Sequence, residues 1–446
     1  MDLSKVLTAL ALTLCACSQR RCGDAPQSTL IDRDSATVAQ ARTVDRVRCD
    51  AEIARGAVAT VPGLGALDAL VPACGDDDDT IAVFALRGHT LSRLVRARSP
   101  GSTFHLADPI ATGADRLGPV GSGDTASLGP LAWRSPTVLL DMDVGDEWWV
   151  AWLEPGLDAG ARVRRGSAVM PAGAEALGII APIARRDTSV EVLATLARAG
   201  SNPRLVRATV PTGGNELVPF THDPPAIAEG ELKAWERATG TALVFAIEPD
   251  GHMLLRAIHV PEDPASSASV LGTVRLARSH VLVAPAGIPL PGGDALFAYS
   301  EFDVVQRGAG PCVVLDESLC VAPGPVRMLR VGASGAVPTD LAPSGLIDTF
   351  AREHDTTMLA LYVEGAGETR TQRAVRFDAA SGNVRAARLT PSDALPPLDR
   401  PALVRCGDEV WLAAEVVVEP GDAGRARETA VMVLPAACVV EGDTGR

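Results

Sequence analysis

Val244-Phe245-Ala246-Ile247-Glu248-Pro249-Asp250-Gly251-His252-Met253-Leu254-Leu255-Arg256-Ala257 sets two short apolar runs on either side of a turn. Glu248-Pro-Asp-Gly251 combines residue types that pre-set or tolerate the backbone angles of a tight reversal, so the stretch reads as a β-hairpin. Its first run closes on an alanine, and that pattern recurs at Val83-Phe84-Ala85, Trp149-Val150-Ala151, Val192-Leu193-Ala194, Leu296-Phe297-Ala298, Met358-Leu359-Ala360 and Trp411-Leu412-Ala413. Ala85 and Ala413 stand 328 residues apart, so the six intervals between seven copies average about 55 residues. A period of that size describes an all-β chain assembled from similar small units.

Two further patterns keep a fixed order around the first. Downstream come a hydrophobic pair, an arginine and another apolar residue, in five of the seven units: Leu94-Val95-Arg96-Ala97, Leu205-Val206-Arg207-Ala208, Leu254-Leu255-Arg256-Ala257, Met328-Leu329-Arg330-Val331 and Ala374-Val375-Arg376-Phe377. Upstream, Gly145-Asp146, Gly293-Asp294, His354-Asp355 and Gly407-Asp408 mark tight turns before the alanine strand. Each unit reads strand, turn, strand, turn, strand, with room for a fourth. On this pattern the chain resembles a seven-bladed β-propeller over residues 49–440, with blades of about 55 residues. The resemblance rests on period and strand order alone: no WD dipeptide, kelch double glycine or Asp-box is present, so no named propeller family lends its site residues. The fifth unit is stretched, its arginine falling 32 residues after its alanine (Ala298 to Arg330), and the excess contains Cys312 and Cys320. A long loop there, closed by its own short disulfide, is expected.

Nine cysteines lie at 15, 17, 22, 49, 74, 312, 320, 406 and 438. Six fall into sequence-local pairs, Cys49 with Cys74, Cys312 with Cys320 and Cys406 with Cys438, which is the preferred arrangement in a compartment where disulfides persist. A bond between Cys49 and Cys438, which bracket the repeats, competes with it, because a ring of blades must close to avoid unpaired edges. The first and last units also share Cys-Gly-Asp, at Cys74-Gly75-Asp76 and Cys406-Gly407-Asp408. No C-x-x-C or histidine-paired spacing supports metal ligation, and no cofactor motif is found.

The N-terminus sets location. Residues 3–17, Leu-Ser-Lys-Val-Leu-Thr-Ala-Leu-Ala-Leu-Thr-Leu-Cys-Ala-Cys, place a short apolar run behind one lysine. About a dozen apolar residues fall short of the roughly 20 that span hydrocarbon, which suits a cleaved signal. Leu14-Cys15-Ala16-Cys17 resembles the lipobox of bacterial lipoproteins. That resemblance implies cleavage after Ala16, acylation of Cys17, and a protein held at the cell envelope by lipid, facing the periplasm or the cell exterior. Residues 1–16 are then signal, 17–48 the lipidated cysteine with a polar tether, 49–440 the propeller and 441–446 a tail.

Formal net charge is −14, which repels phosphate backbones and argues against nucleic-acid binding. Only Lys5 and Lys233 are lysine among 41 basic residues, a bias read as a GC-rich genome. The seven histidines (89, 105, 222, 252, 259, 280, 354) lack ligand spacing. Asp76-Asp77-Asp78-Asp79 lacks the alternation of a calcium loop and reads as a solvated turn. Asp141 and Asp143 alternate with apolar residues as one strand face would, and Trp148 and Trp149 fall on opposite faces of a strand that also carries Trp152. No G-x-S-x-G elbow or phosphate loop occurs. The expected role is an envelope-anchored binding or scaffolding module gripping a protein or glycan at the propeller funnel. The alternative is a propeller enzyme acting on glycans or envelope material. Convergent carboxylates at the funnel mouth would favour the enzyme.

Overall fold

A computed structural model describes Cys49 and most of residues 58–441. Residues 1–48, 111–138, 212–225, 307–312, 390–397, 419–427 and 442–446 are the main stretches outside it. Among the described residues the strands form seven separate antiparallel sheets, following one another along the chain. Sheet 1 comprises Ala69–Cys74, Thr80–Arg87, Thr90–Ala97 and His105–Ile110; sheet 2, Leu139–Val144, Glu147–Pro155 and Ala161–Val169. Sheet 3 comprises Ala174–Leu177, Ala181–Arg186, Ser189–Arg198, Arg204–Pro211 and Ala226–Glu229; sheet 4, Glu231–Glu236, Thr241–Ile247, Met253–His259 and Ser269–Arg275. Sheet 5 is built on His280–Val283, Ala295–Gln306, Leu319–Gly332 and Gly335–Ala342; sheet 6 on Leu346–His354, Thr357–Glu364, Thr371–Asp378 and Val384–Leu389. In sheet 7, Asp399–Cys406, Glu409–Val418 and Glu428–Pro435 are completed by Val58–Thr60 from the other end of the chain.

That last pairing identifies the architecture. Val58, Ala59 and Thr60 lie opposite Met432, Val431 and Ala430, so the first described strand becomes the outermost strand of the last sheet. The first strand of sheet 7 touches the first strands of both sheet 1 and sheet 6. Successive meander sheets whose first strands meet, closed by a strand from the opposite terminus, form a β-propeller, and the closure removes the exposed edge that an open array would leave.

The residue pattern explains why sheets rather than helices form. Thr241–Ile247 is buried at almost every position. Successive side chains leave a strand on opposite faces. Leu243 accordingly packs with Leu255, Phe297 and Leu329 between sheets 4 and 5, while Val244 packs with Leu193, Leu205 and Leu232 between sheets 3 and 4. A strand covered on both sides reads as a continuous apolar run, which is the recurring pattern of the sequence. Its alanine is the small residue that lets neighbouring sheets close up: Ala85, Ala298, Ala360 and Ala413 are fully buried.

Polar groups staple the sheet boundaries. Just after the alanine, Thr195 Oγ1 accepts the Leu232 N–H at 2.9 Å and Ser300 Oγ accepts the Ile347 N–H at 2.7 Å. Glu415, 2% exposed, accepts the Leu67 N–H at 3.2 and 3.3 Å, joining sheet 7 to the start of sheet 1. The repeat arginine does similar work from the third strand. Arg96 donates to Val433 O at 2.8 Å and stacks over Trp411, Arg207 donates to Pro261 O and Glu262 O, and Arg330 donates to Ala379 O, each on a neighbouring sheet. Burying a donor without an acceptor is costly, so these bonds fix the sheet order as well as stabilising it.

Two expectations are corrected. The sequence-local cysteine pairs Cys49–Cys74 and Cys406–Cys438 do not form: Cys49 is bonded to Cys438 and Cys74 to Cys406, with Cα separations of 5.3 and 5.5 Å. Ring closure is the reason, since it makes the first and last sheets neighbours and sets Cys74 and Cys406, each at the end of the first strand of its sheet, side by side. Cys320 is also disulfide-bonded, and Cys312, its expected partner, lies outside the described residues. The second correction concerns the stretched fifth unit, which is not simply a loop. Phe302 to Gln306 pair with Pro323 back to Leu319, so the two middle strands of sheet 5 run on past a bulge as a protruding hairpin.

Candidate functional site

The first strands of sheets 4, 5, 6, 7 and 1 lie against one another in that order, and a parallel bridge joins Trp235, in the first strand of sheet 4, to Ala286, just after that of sheet 5. Their C-terminal ends therefore gather at one mouth of the axis, just before the first hairpin turn of each sheet. Sheet 3 contributes the register positions Arg185 and Arg186, sheet 4 Glu236, sheet 6 Arg352, and sheet 7 Arg405 followed by Cys406. The turns that follow are tight, with Gly240, Gly407 and Asp355 at positive φ.

Arg352 is the unusual member. Its Nε and Nη2 are buried and have no hydrogen-bond partner. Burial pushes its guanidinium down from the ordinary range, Arg405 pushes it the same way, and Glu236 and Asp355 act against both. The Leu403 N–H donates to Thr349 Oγ1 at 3.1 Å, so the first strands of sheets 6 and 7 lie side by side just ahead of Arg352 and Arg405. Glu236 is not free to neutralise it. Its buried carboxylate accepts the Ala238 N–H at 2.8 Å, the Thr239 N–H at 2.8 Å and the Thr239 hydroxyl at 2.5 Å, capping the turn after its own strand.

The surrounding carboxylates are engaged as well. Glu353 makes a two-point pair with Arg376 at 2.6 and 2.9 Å. Arg405 donates from Nε to Gly407 O at 3.0 Å, and its Nη2 stands 3.8 Å from the exposed Asp408. Glu409 lies 3.4 Å from Arg98, whose guanidinium also covers Gly407. Asp355 is exposed on its turn. The chemistry assembled at this mouth is cationic, with one buried guanidinium edge unmatched.

A second charged cluster sits on sheet 5 at the base of the protruding hairpin. Glu301, fully buried, accepts the Ala277 and Arg278 N–H groups and pairs with Arg327, which also meets Asp340 at 2.6 Å. Asp303 accepts from Ser279 and from Arg278; burial would raise its pKa, but these bonds hold the carboxyl below its usual range. Every one of these groups is matched, so the cluster pins the connection between sheets 4 and 5 to the hairpin.

Other residues singled out in the sequence do not converge. His252 pairs with Asp250 on an exposed turn, His259 Nδ1 meets Thr239 O at 3.1 Å, His280 stacks on Phe302, and His354 is exposed. Asp141, Asp143, Trp148, Trp149 and Trp152 lie on paired strands of sheet 2 whose side chains are outside the described residues, as are Cys17, Cys22 and Asp76 to Asp79. Among the described residues no three His, Cys, Asp or Glu side chains gather to hold a metal ion, and no helix is long and apolar enough to cross a membrane. The two disulfides suit an oxidising, extracytoplasmic compartment.

Arg352 and Arg405 escaped the sequence reading, although a signal existed. Arg186-Asp187, Arg352-Glu353-His354-Asp355 and Arg405-Cys406-Gly407-Asp408 each put an arginine one to three residues before the aspartate of the first turn.

No protein-family model matches the chain, and no curated protein matches it. Solved structures do. A prolyl endopeptidase matches at 11% identity and a TM-score of 0.39, covering 91% of this chain and 56% of its own, so the chain spans little more than half of that protein. The β-propeller domain of Cps50 (Swd1) from Myceliophteria thermophila matches at 10% identity and 0.34, covering 84% and 100%. The GH43_1 enzyme from Xanthomonas citri complexed with xylose matches at 10% and 0.29, covering 90% and 99%.

Proposed function

We propose that the protein is an envelope-anchored extracytoplasmic binding module, held to a membrane by lipid on Cys17 and gripping a glycan or protein ligand at one mouth of the propeller axis. The observation that carries the binding role is the state of the carboxylates there. Hydrolysis of a glycosidic bond calls for two carboxyl groups facing one another across the substrate, one to give a proton and one to take it or attack. Glu236 is spent on its own turn, and Glu353 is matched by Arg376. Besides these carboxylates, the first strands of sheets 6 and 7 carry Arg352 and Arg405 near their ends, side chains that hold a ligand unchanged.

The test is thermal stabilisation of the purified full-length protein by a panel of neutral and acidic oligosaccharides and envelope peptidoglycan fragments, with each ligand recovered afterwards. A binder raises Tm and returns the ligand intact, because a ligand that binds only the native state stabilises it by mass action. Recovery of cleaved products would establish the glycan-acting enzyme instead. Anchoring is tested separately: Cys17→Ala should move the protein from the membrane fraction to the soluble one, and unchanged fractionation would reject lipidation.

A further inference from the structure

We propose that the Cys49–Cys438 bond is a mechanical shunt for the N-terminal tether: a pull on the residues before Cys49 passes straight to Cys438 and leaves the ring-closing strand Val58–Thr60 unloaded. The load path follows from covalent topology. Its use in the cell rests on the anchoring at Cys17 proposed above, because a module that grips a ligand while held by one end is pulled through that end.

Without the bond, the pull would enter the ring through a short join. Only the three residues of Val58–Thr60 pair with sheet 7, opposite Met432, Val431 and Ala430, and they form the outermost strand of that sheet. Each backbone hydrogen bond contributes little net stability, so a ladder this short yields early, and with it goes the strand that closes the ring. Cys49 stands nine residues ahead of Val58 and meets the load first.

Cys438 is rooted in two sheets. It ends the turn Ala436–Cys438 that follows Glu428–Pro435 of sheet 7, and Val440 and Glu441 just beyond it pair with Leu389 and Arg388 on the outer strand of sheet 6. Val439 and Val440 are buried in one cluster with Leu412 and Met432 of sheet 7 and Leu361 and Ala387 of sheet 6. A pull arriving at Cys438 is therefore shared between both cores. Behind it, Cys74–Cys406 ties sheet 1 to sheet 7 with Cys406 fully buried, so a chain lacking the outer bond could be drawn out only as far as Cys74.

Single-molecule pulling tests this on the full-length chain carrying Cys17→Ala and Cys22→Ser, with a peptide tag at each end. The oxidised chain should show no lengthening step from residues 49–438, because the bond bears the load in parallel with all of them. Adding Cys49→Ser and Cys438→Ser should produce a step of 57 residues, 25 up to Cys74 and 32 beyond Cys406, or about 190–200 Å at roughly 3.3–3.6 Å per residue. Dithiothreitol should release the whole 389-residue span of the oxidised chain, about 1,300–1,400 Å. A second geometry pulls from the N-terminal tag against a handle on Ser267→Cys, an exposed site in sheet 4's last connection, and loads the ring as a ligand would. There the first rupture should need a higher force with the bond than without it. Circular dichroism checks that the serine variant is folded; if it is not, the contrast between the oxidised chain and the same chain in dithiothreitol decides alone. A 57-residue step in the oxidised chain, or equal first-rupture forces with and without the bond, overturns the inference. Either result leaves the anchoring reading standing, whereas Cys17→Ala remaining in the membrane fraction removes the anchoring and leaves the load path.

Discussion

Removing the two cross-links one at a time and then together should reveal a ring that is clasped twice. Cys49–Cys438 and Cys74–Cys406 span 389 and 332 residues of sequence. In the chain-entropy account either bond acting alone restricts the unfolded chain by about 6 kcal/mol. The bonds are nested, however. With Cys74–Cys406 closed, Cys49–Cys438 closes an effective loop of only 57 residues, 25 from Cys49 to Cys74 and 32 from Cys406 to Cys438. A loop of that size corresponds to about 4 kcal/mol. Cys49→Ala with Cys438→Ala, or Cys74→Ala with Cys406→Ala, should therefore cost about 4 kcal/mol, and all four substitutions about 10, roughly 2 kcal/mol beyond the sum of the two pairs. Urea unfolding read by tryptophan fluorescence is the assay, since Trp411 is fully buried in the same cluster as Cys406, between sheets 7 and 1. Strict additivity, or a loss under about 1 kcal/mol for either pair, would refute the nested-clasp argument.

The remaining predictions concern single residues. Glu415→Ala removes the acceptor of the buried Leu67 N–H and should lower stability by about 2 kcal/mol in urea. Thr195→Val and Ser300→Ala act at different sheet boundaries, so their losses of about 1–2 kcal/mol each should add in the double variant. Gly272 lies where the outer strand of sheet 4 meets sheet 5, and a Cβ there would run into the Ala336 backbone nitrogen and methyl; Gly272→Ala should cost about 2 kcal/mol, read as a fall in Tm. Burial pushes the Tyr299 phenol up to about 12, with Arg327 opposing and Glu301 adding to the rise. The unfolded phenol ionises near pH 10, so between about pH 10 and 12 the unfolded state holds fewer protons and stability falls; below 10 the contribution is fully present. Absorbance at 295 nm should accordingly show no Tyr299 phenolate until the pH approaches 12, and Tyr299→Phe should flatten the decline of urea midpoint above pH 10.

The repeat was legible in the sequence because each sheet must cover two faces. That demand forces the apolar pair and alanine into every second strand, and Ala298, Ala360 and Ala413 are all fully buried for that reason. The turns were legible too: Gly251, Gly293 and Gly407 adopt the positive φ that tight reversals require. Cysteine pairing was legible only in part: ring closure named Cys49–Cys438 as the rival to the local pairs, and that bond forms, but spacing along the chain carries no record of Cys74–Cys406. The stretched fifth unit misled for a different reason. Phe302 and Val304 alternate with Glu301 and Asp303 well enough to extend a strand, but the length of the excess argued for a loop.

The site was hidden by composition. In a chain whose basic residues are nearly all arginine, the presence of an arginine says little, and the sequence reading fastened on the ones that recur in the third strand. Arg96, Arg207 and Arg330 are spent on neighbouring carbonyl oxygens, which is structural work. Position in the sheet separates the two kinds. Arg96, Arg207 and Arg330 reach across to backbone of a neighbouring unit, while Arg376, at the same place in sheet 6, pairs with Glu353. The two first-strand arginines differ: Arg405 gives its Nε to Gly407 O, while Nε and Nη2 of Arg352 are buried without a partner. Nε and Nη2 of Arg352 have left solvent without gaining an acceptor, and that imbalance makes it the residue on which a functional test should begin.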